Sequence, residues 1–313
     1  MSREARDHGG GIDAANARFG GERSGWLDLS TGINPRPYPL PALPADAWTA
    51  LPDKGAFAAL EQAARGFWRV PDDAAVLAAG GASALIAAIP HLAAPGRVAI
   101  PGPTYNEHAA AFRAASWEVG EDGPRDALVV VHPNNPTGRL WAASDLDAPL
   151  TIIDESFCDI APEASHVARA AEPGTLILKS FGKFWGLAGL RLGFAIGDSA
   201  LIERLRDLLG PWQVSGPALA VGTAALRDKA WAEATRARLA EDAGRLDGML
   251  GAHGAELIGG TTLFRTYRLP DAEALHDRLA RAHIWTRRFP YAPDWLRFGL
   301  PDEDGWARLE ATL

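Results

Sequence analysis

Short, mostly apolar runs separated by mixed stretches dominate the middle of the chain. The runs at residues 97–100, 127–131, 151–153, 175–178 and 192–196 are too short for helices and read as strands buried on both faces. Helical or loop segments lie between them. That alternation predicts an α/β fold, a mainly parallel sheet with helices on its faces. Helices are expected over 57–68 and 201–209, and alanine-rich helical stretches follow Pro211 and Pro217 to about residue 250. The C-terminal part reads differently: strand 263–269, helix 271–282, strands 284–287 and 296–300, helix 303–312. This is a small α+β unit. The first fifty residues are rich in glycine and proline, which argues against regular elements there, except for a short strand at Trp26 to Leu29.

Composition narrows the class. With 313 residues, 47% hydrophobic and 22% charged, the chain has the make-up of a globular enzyme with a large core. A net charge of −8 and the lack of any basic run give no support to nucleic-acid binding. The N-terminal stretch lacks the apolar core of a signal peptide, and no run approaches a membrane span, so a cytoplasmic protein without membrane association is expected. A single cysteine, Cys158, allows no intramolecular disulfide and is expected to be a small core residue. The eight histidines are scattered without ligand spacing, so no metal site is expected. Neither a Gly-x-x-x-x-Gly-Lys-Ser/Thr loop nor a strand-linked Gly-x-Gly-x-x-Gly is present.

Four segments at predicted strand ends carry the chemistry, where sheets of this kind place ligands. Only four of the 31 basic residues are lysines, and one of them, Lys183, follows Ser180 by three positions and precedes Arg191 by eight. Lysine joins an aldehyde as a Schiff base, while a hydroxyl and a guanidinium bind a phosphate dianion. Gly80-Gly81-Ala82-Ser83 precedes an apolar helix, where backbone amides can hold phosphate and Ser83 is expected as the N-cap. Asn135 lies in the rigid loop His132-Pro133-Asn134-Asn135-Pro136-Thr137-Gly138 and can donate to a phenolate oxygen. Asp154 ends a strand, placed to pair with a protonated pyridine nitrogen. Singly each segment is an ordinary turn, cap or strand end; together, in this order, they describe a site.

The four segments resemble those of fold-type I, pyridoxal-phosphate-dependent enzymes of the class I/II aminotransferase superfamily, and the resemblance covers nearly the whole chain. It implies a mainly parallel seven-stranded sheet with helices on both faces and a small α+β C-terminal domain. It implies an N-terminal arm over 1–46 that packs with the small domain, a large cofactor-binding domain over 47–215 and a small domain over 216–313. The cofactor implied is pyridoxal 5'-phosphate. Lys183 and Asp154 are then the catalytic pair. Gly81, Ala82, Ser83, Ser180 and Arg191 hold the cofactor phosphate, Asn135 bonds the phenolate oxygen, and Tyr105 of Pro101-Gly102-Pro103-Thr104-Tyr105 stacks on the ring. Arg297 matches the arginine that grips a substrate carboxylate. Homodimers are implied as well.

Within the superfamily two branches are similar, histidinol-phosphate aminotransferases and the L-threonine-O-3-phosphate decarboxylases of cobalamin biosynthesis. The second is favoured by His8-Gly9-Gly10, by Leu27-Asp28-Leu29-Ser30-Thr31-Gly32-Ile33-Asn34-Pro35, by Lys183-Phe184-Trp185, and by Phe157 where many transaminases carry tyrosine. A small phosphorylated amino acid is then the substrate, with His8, Gly10, Asn34, Arg287, Arg288 and Arg297 as its candidate ligands. Leu51-Pro52-Asp53 stands where relatives have Tyr-Pro-Asp, and Leu51 cannot supply the hydroxyl that reaches the partner subunit's cofactor phosphate. That departure is the sole support for a third reading, a cofactor-binding partner protein without catalysis.

Overall fold

The computed structural model describes residues 8–313; the signal-peptide reading of the first seven residues lies outside them. In chain order the strands are β1 (Leu27–Asp28), β2 (Ala75–Ala79), β3 (Arg97–Ala99), β4 (Glu118–Gly120), β5 (Ala127–Val131), β6 (Leu150–Asp154), β7 (Thr175–Ser180), β8 (Gly193–Gly197), β9 (Glu256–Thr261), β10 (Phe264–Arg268), β11 (Ile284–Trp285), β12 (Arg287–Phe289) and β13 (Ala292–Gly299). Contacts divide them between two compact units.

The larger unit, Pro37–Asn135 with Arg139–Ala234, is built on a seven-stranded sheet of order β2-β8-β7-β6-β5-β3-β4. β8 runs antiparallel to β2 and β7, and the other pairings are parallel. Every residue of β5, β6 and β8 is buried, as the unbroken apolar runs require. One face packs Leu85 and Ile86 of helix Ala82–Ala88, Phe112 of helix Asn106–Ala114 and Ile202 and Leu205 of helix Ser199–Leu209 against Val129, Ile152, Leu176 and Ala195. On the other face, Trp68 of helix Lys54–Trp68 meets Phe194 edge-on at 4.9 Å, and Trp185 stacks between Phe181 at 5.1 Å and Trp231 at 5.3 Å. Asp53 accepts from the Ala56 amide and caps helix Lys54–Trp68.

The smaller unit gathers the described residues up to Arg36, Pro136–Gly138 and Thr235–Leu313. Its sheet has the order β12-β13-β10-β9, all antiparallel, and β1 pairs in parallel with β11. The expected strand over 284–287 divides at Thr286 into β11 and β12, which belong to different sheets. Thr286 itself is buried and shares a 2.8 Å hydrogen bond with His276.

Several elements differ from the sequence expectation. Helix Ile12–Phe19 occupies part of the arm expected to be irregular, and it starts directly after Gly11, whose φ of 75° turns the chain into it. β2, β4 and β9 were not anticipated. β2 is alanine-rich, β4 is a three-residue edge strand, and β9 contains two glycines at a sheet edge, so none has a strong alternating or β-branched signature. Ser83 is not the N-cap of its helix. Gly81 is, because its φ of 90° makes the turn one step earlier and leaves Ser83 as the second helical residue. Cys158 is fully buried, and burial pushes its thiol pKa up.

Candidate active site

The carboxyl ends of β5, β6 and β7 open into one pocket of the larger unit. Its lining includes Ala82, Ser83, Tyr105, Asn135, Asp154, Ser180, Lys183 and Arg191, all singled out from sequence. Gly81 stands at its edge. A side chain there would put its Cβ 2.7 Å from the Arg191 guanidinium. The arginine thus rests against bare backbone at the helix start.

Each side chain is placed by a local feature. β7 delivers Ser180, whose hydroxyl accepts from the Gly182 amide at 3.2 Å and shapes the turn that carries Lys183. Lys183 is half-buried, its ammonium 5.3 Å from the centre of the Phe157 ring. Arg191 adopts a left-handed conformation, φ 53° and ψ 55°, and donates to the Ala188 carbonyl at 3.0 Å. β2 and β8 pair up to Ala79 and Gly193, which brings the helix start at Ala82 against Gly193. Asn134 accepts from the Thr104 hydroxyl at 2.6 Å and donates to the Pro103 carbonyl at 3.0 Å, so the loop of Asn135 is tied to the loop of Tyr105.

Asp154 is the electrostatic centre. It is buried at the end of β6, with His108 Nε2 2.8 Å from Oδ2. Oδ1 accepts from the Ser156 amide at 3.0 Å and from its hydroxyl at 2.5 Å. Burial opposes ionisation, but the hydrogen bonds and charge of His108 and the bonds from Ser156 outweigh it and hold the pKa below the ordinary carboxylate range. The carboxylate is therefore charged at neutral pH. His108 and Ser156 were missed from sequence. His108 lies in the first turn of helix Asn106–Ala114, whose N-cap is Tyr105, and the two rings meet edge-on at 6.1 Å. Ser156 is the second residue after an aspartate, the usual partner in an Asx turn.

The substrate candidates belong to the smaller unit. His8, Gly10, Arg287 and Arg288 line one cleft there, with Ser30, His276 and Trp285. The Gly10 amide donates to Ser30 at 2.6 Å, its carbonyl accepts from Trp285 Nε1 at 2.8 Å, and Arg288 pairs with Glu273 at 2.8 Å. Asn34 and Arg297 are not among the residues lining that cleft. Asn34 accepts from the Arg36 amide and from Arg238 Nη2 at 2.8 Å, and buried Arg297 donates to the Ser30 carbonyl at 2.6 Å. Leu51 is 69% exposed.

A family profile described as aminotransferase class I and II matches residues 118–309, the greater part of the chain. This chain belongs to the class I and II aminotransferase family. Among relatives of this family member, a threonine-phosphate decarboxylase of a Sinorhizobium species is 44% identical over 98% of this chain and 97% of its own length. A threonine-phosphate decarboxylase of Pseudomonas aeruginosa is 43% identical with the same coverage. In fold, this aminotransferase-family chain is similar to the histidinol-phosphate aminotransferase of Sinorhizobium meliloti solved with pyridoxal-5'-phosphate. The TM-score is 0.83, the identity 18%, and the match covers 96% of this chain and 93% of that one. Among the described residues no helix is long and apolar enough to cross a membrane, and no cluster of candidate metal ligands occurs.

Proposed function

We propose that the protein is a pyridoxal-phosphate-dependent decarboxylase that converts L-threonine O-3-phosphate to (R)-1-amino-2-propanol O-2-phosphate and carbon dioxide for cobalamin biosynthesis. The observation that carries the reading is full-length similarity, above two-fifths identity, to threonine-phosphate decarboxylases. The pocket fits the cofactor. Arg191 lies where only a glycine at 81 leaves it room, beside a helix start and Ser180, which is a donor set for a phosphate. A buried carboxylate held ionised and a half-buried lysine complete a set suited to a phosphorylated pyridine aldehyde.

Gly81, Ala82, Ser83, Ser180 and Arg191 would hold the phosphate, Asn135 would donate to the phenolate oxygen, and Tyr105 would offer its ring face. When bound, pyridoxal phosphate supplies an electron sink for the pair released at the substrate Cα. Asp154, kept charged by His108 and Ser156, would hold a proton on the ring nitrogen. Lys183 would hold the cofactor through its amine and, as the ammonium, would deliver the proton to Cα. Arg297 would bind the substrate carboxylate, and His8, Arg287 and Arg288 would bind its phosphate, with Gly10 and Asn34 as further candidate substrate ligands. The Cα–carboxylate bond breaks, carbon dioxide leaves and a proton replaces it. Selection of that bond over Cα–H rests on how these groups orient the substrate. Phe157 in place of tyrosine leaves Lys183 beside an apolar ring. We further read the protein as a cytoplasmic homodimer, with exposed Leu40, Trp48, Leu51 and Trp212 supplying apolar contact surface.

A mixed assay tests the reading. L-threonine O-3-phosphate is supplied with 2-oxoglutarate, and both carbon dioxide and glutamate are measured. Carbon dioxide without glutamate is expected; glutamate without carbon dioxide would make the protein an aminotransferase.

A further inference from the structure

The active-site pocket has a charged counterpart behind the sheet. Side chains alternate between faces of a strand, so the residues next to Asp154 and Ser180 point away from the pocket. They are Glu155 and Lys179, both fully buried, and Lys179 Nζ lies 2.5 Å from Glu155 Oε2. Glu155 is bound further by the Ser165 hydroxyl at 2.6 Å and the His166 amide at 2.5 Å. Its own amide extends the ladder from β6 to β7 by donating to the Leu178 carbonyl at 2.9 Å. A third charge joins them: Asp159 Oδ1 is 3.9 Å from Lys179 Nζ. Asp159 also accepts from Trp68 Nε1 at 2.7 Å and Trp185 Nε1 at 3.0 Å. Trp185 is two residues beyond Lys183 and is clamped between two parallel rings.

One network therefore grips the chain beside three of the polar pocket groups: Glu155 next to Asp154, Lys179 next to Ser180, and Trp185 two residues beyond Lys183. A buried charged trio is a poor source of stability compared with apolar residues of the same shape, which points to a role other than holding the fold. We infer that Lys179, with Glu155 and Asp159, is a positioning residue that sets Lys183 and Ser180 against Asp154. It touches neither substrate nor cofactor. The inference rests on the reading of the pocket as a pyridoxal phosphate site.

The test compares Lys179→Met, Lys179→Arg and the neutral pair Lys179→Met/Glu155→Gln in full-length protein loaded with pyridoxal phosphate. The readouts are the pH titration of the bound cofactor's visible band, and kcat and KM separately. The neutral pair removes the charge that Lys179→Met alone would strand on Glu155, while Asp159 keeps its bonds from Trp68 and Trp185, and it keeps the test alive where Lys179→Met does not fold. The inference predicts that the neutral pair unfolds at a temperature close to wild type, shifts the band's titration midpoint by about one pH unit and loses about tenfold or more in kcat, with KM within about twofold. Lys179→Arg, which keeps the charge, restores both. A folded neutral pair with wild-type titration and kcat would overturn the inference. So would a loss that appears only as lowered stability. Wild-type protein that develops no visible band with pyridoxal phosphate would instead overturn the reading of the pocket.

Discussion

The pocket at the ends of β5, β6 and β7 and the cleft lined by His8 and Arg288 solve different physical problems. In the pocket the decisive group is a buried carboxylate whose hydrogen bonds are fixed by neighbours on a helix and a turn. In the cleft the basic groups are less buried, and Arg288 engages a glutamate that is itself largely exposed. Preorganised buried charge suits bond making and breaking, because the field is in place before the reaction begins. A more solvated basic cleft suits capture of a phosphate, whose identity it can sense without taking part in the chemistry. The contrast teaches that substitutions in the pocket should act on kcat and those in the cleft on KM.

The strongest way to break this contrast is at Lys183. Lys183→Ala is expected to lower kcat about 10³–10⁴-fold, the upper range for a positioned proton-transfer group, and to abolish the visible band of bound cofactor. Asp154→Asn keeps the shape and removes the charge. It should lower kcat about 10²–10³-fold, as loss of a preorganised electrostatic group does, with KM little changed. Arg288→Ala and His8→Ala should do the reverse. Each is expected to raise KM for L-threonine O-3-phosphate about tenfold, some 1.4 kcal/mol, while kcat stays within about twofold. A tenfold fall in kcat at Arg288→Ala would place the cleft in the chemistry and end the contrast.

Acid should separate the two regions as well. Burial lowers the His276 pKa from 6.5 to about 4, so the folded protein binds fewer protons at this residue than the unfolded chain between those values. Stability of the smaller unit should fall as pH drops through that window. Asp154 and Glu155 have pKa values lowered from 3.8 and 4.5, so their contribution is present above the ordinary carboxylate range and is lost only as pH falls below it. Amide exchange followed from pH 7 downward is expected to show loosening around β11 and β12 before β6 and β7. The smallest effect is expected at Leu51. Leu51→Tyr should leave kcat unchanged and slow cofactor loss in dialysis by a few-fold, since a hydroxyl is added to a surface position that lacks one.

Much of the pocket was legible in the sequence because its parts sit at strand ends or helix starts, each in a short segment with its own local pattern. Ser180, Lys183 and Arg191 fall within the single stretch from the end of β7 to the start of β8, and the apolar runs before Asn135 and Asp154 mark the strands that carry them. His108 was not legible as a site residue. Its role depends on a helix of one segment meeting the strand end of another, and nothing near it in the chain marks that meeting. Lys179 illustrates the same limit from the other side. It lacks the surroundings of Lys183, and only the fold reveals that its ammonium is buried against Glu155. In the smaller unit, β9 escaped notice because its two glycines blur hydrophobic periodicity, and the helix at Ile12–Phe19 because glycines flank it on both sides and read as loop. The place of Asn34 likewise depends on Arg238, some two hundred residues away.

The central claim is that this pocket breaks the Cα–carboxylate bond and replaces the carboxylate with a proton. Its most direct test is turnover of L-threonine O-3-phosphate in deuterium oxide, with the product observed by proton NMR. The account predicts aminopropanol phosphate that carries a single deuterium at C1 and retains the original Cα hydrogen. Loss of that hydrogen, or a product that has kept its carboxylate, would contradict it.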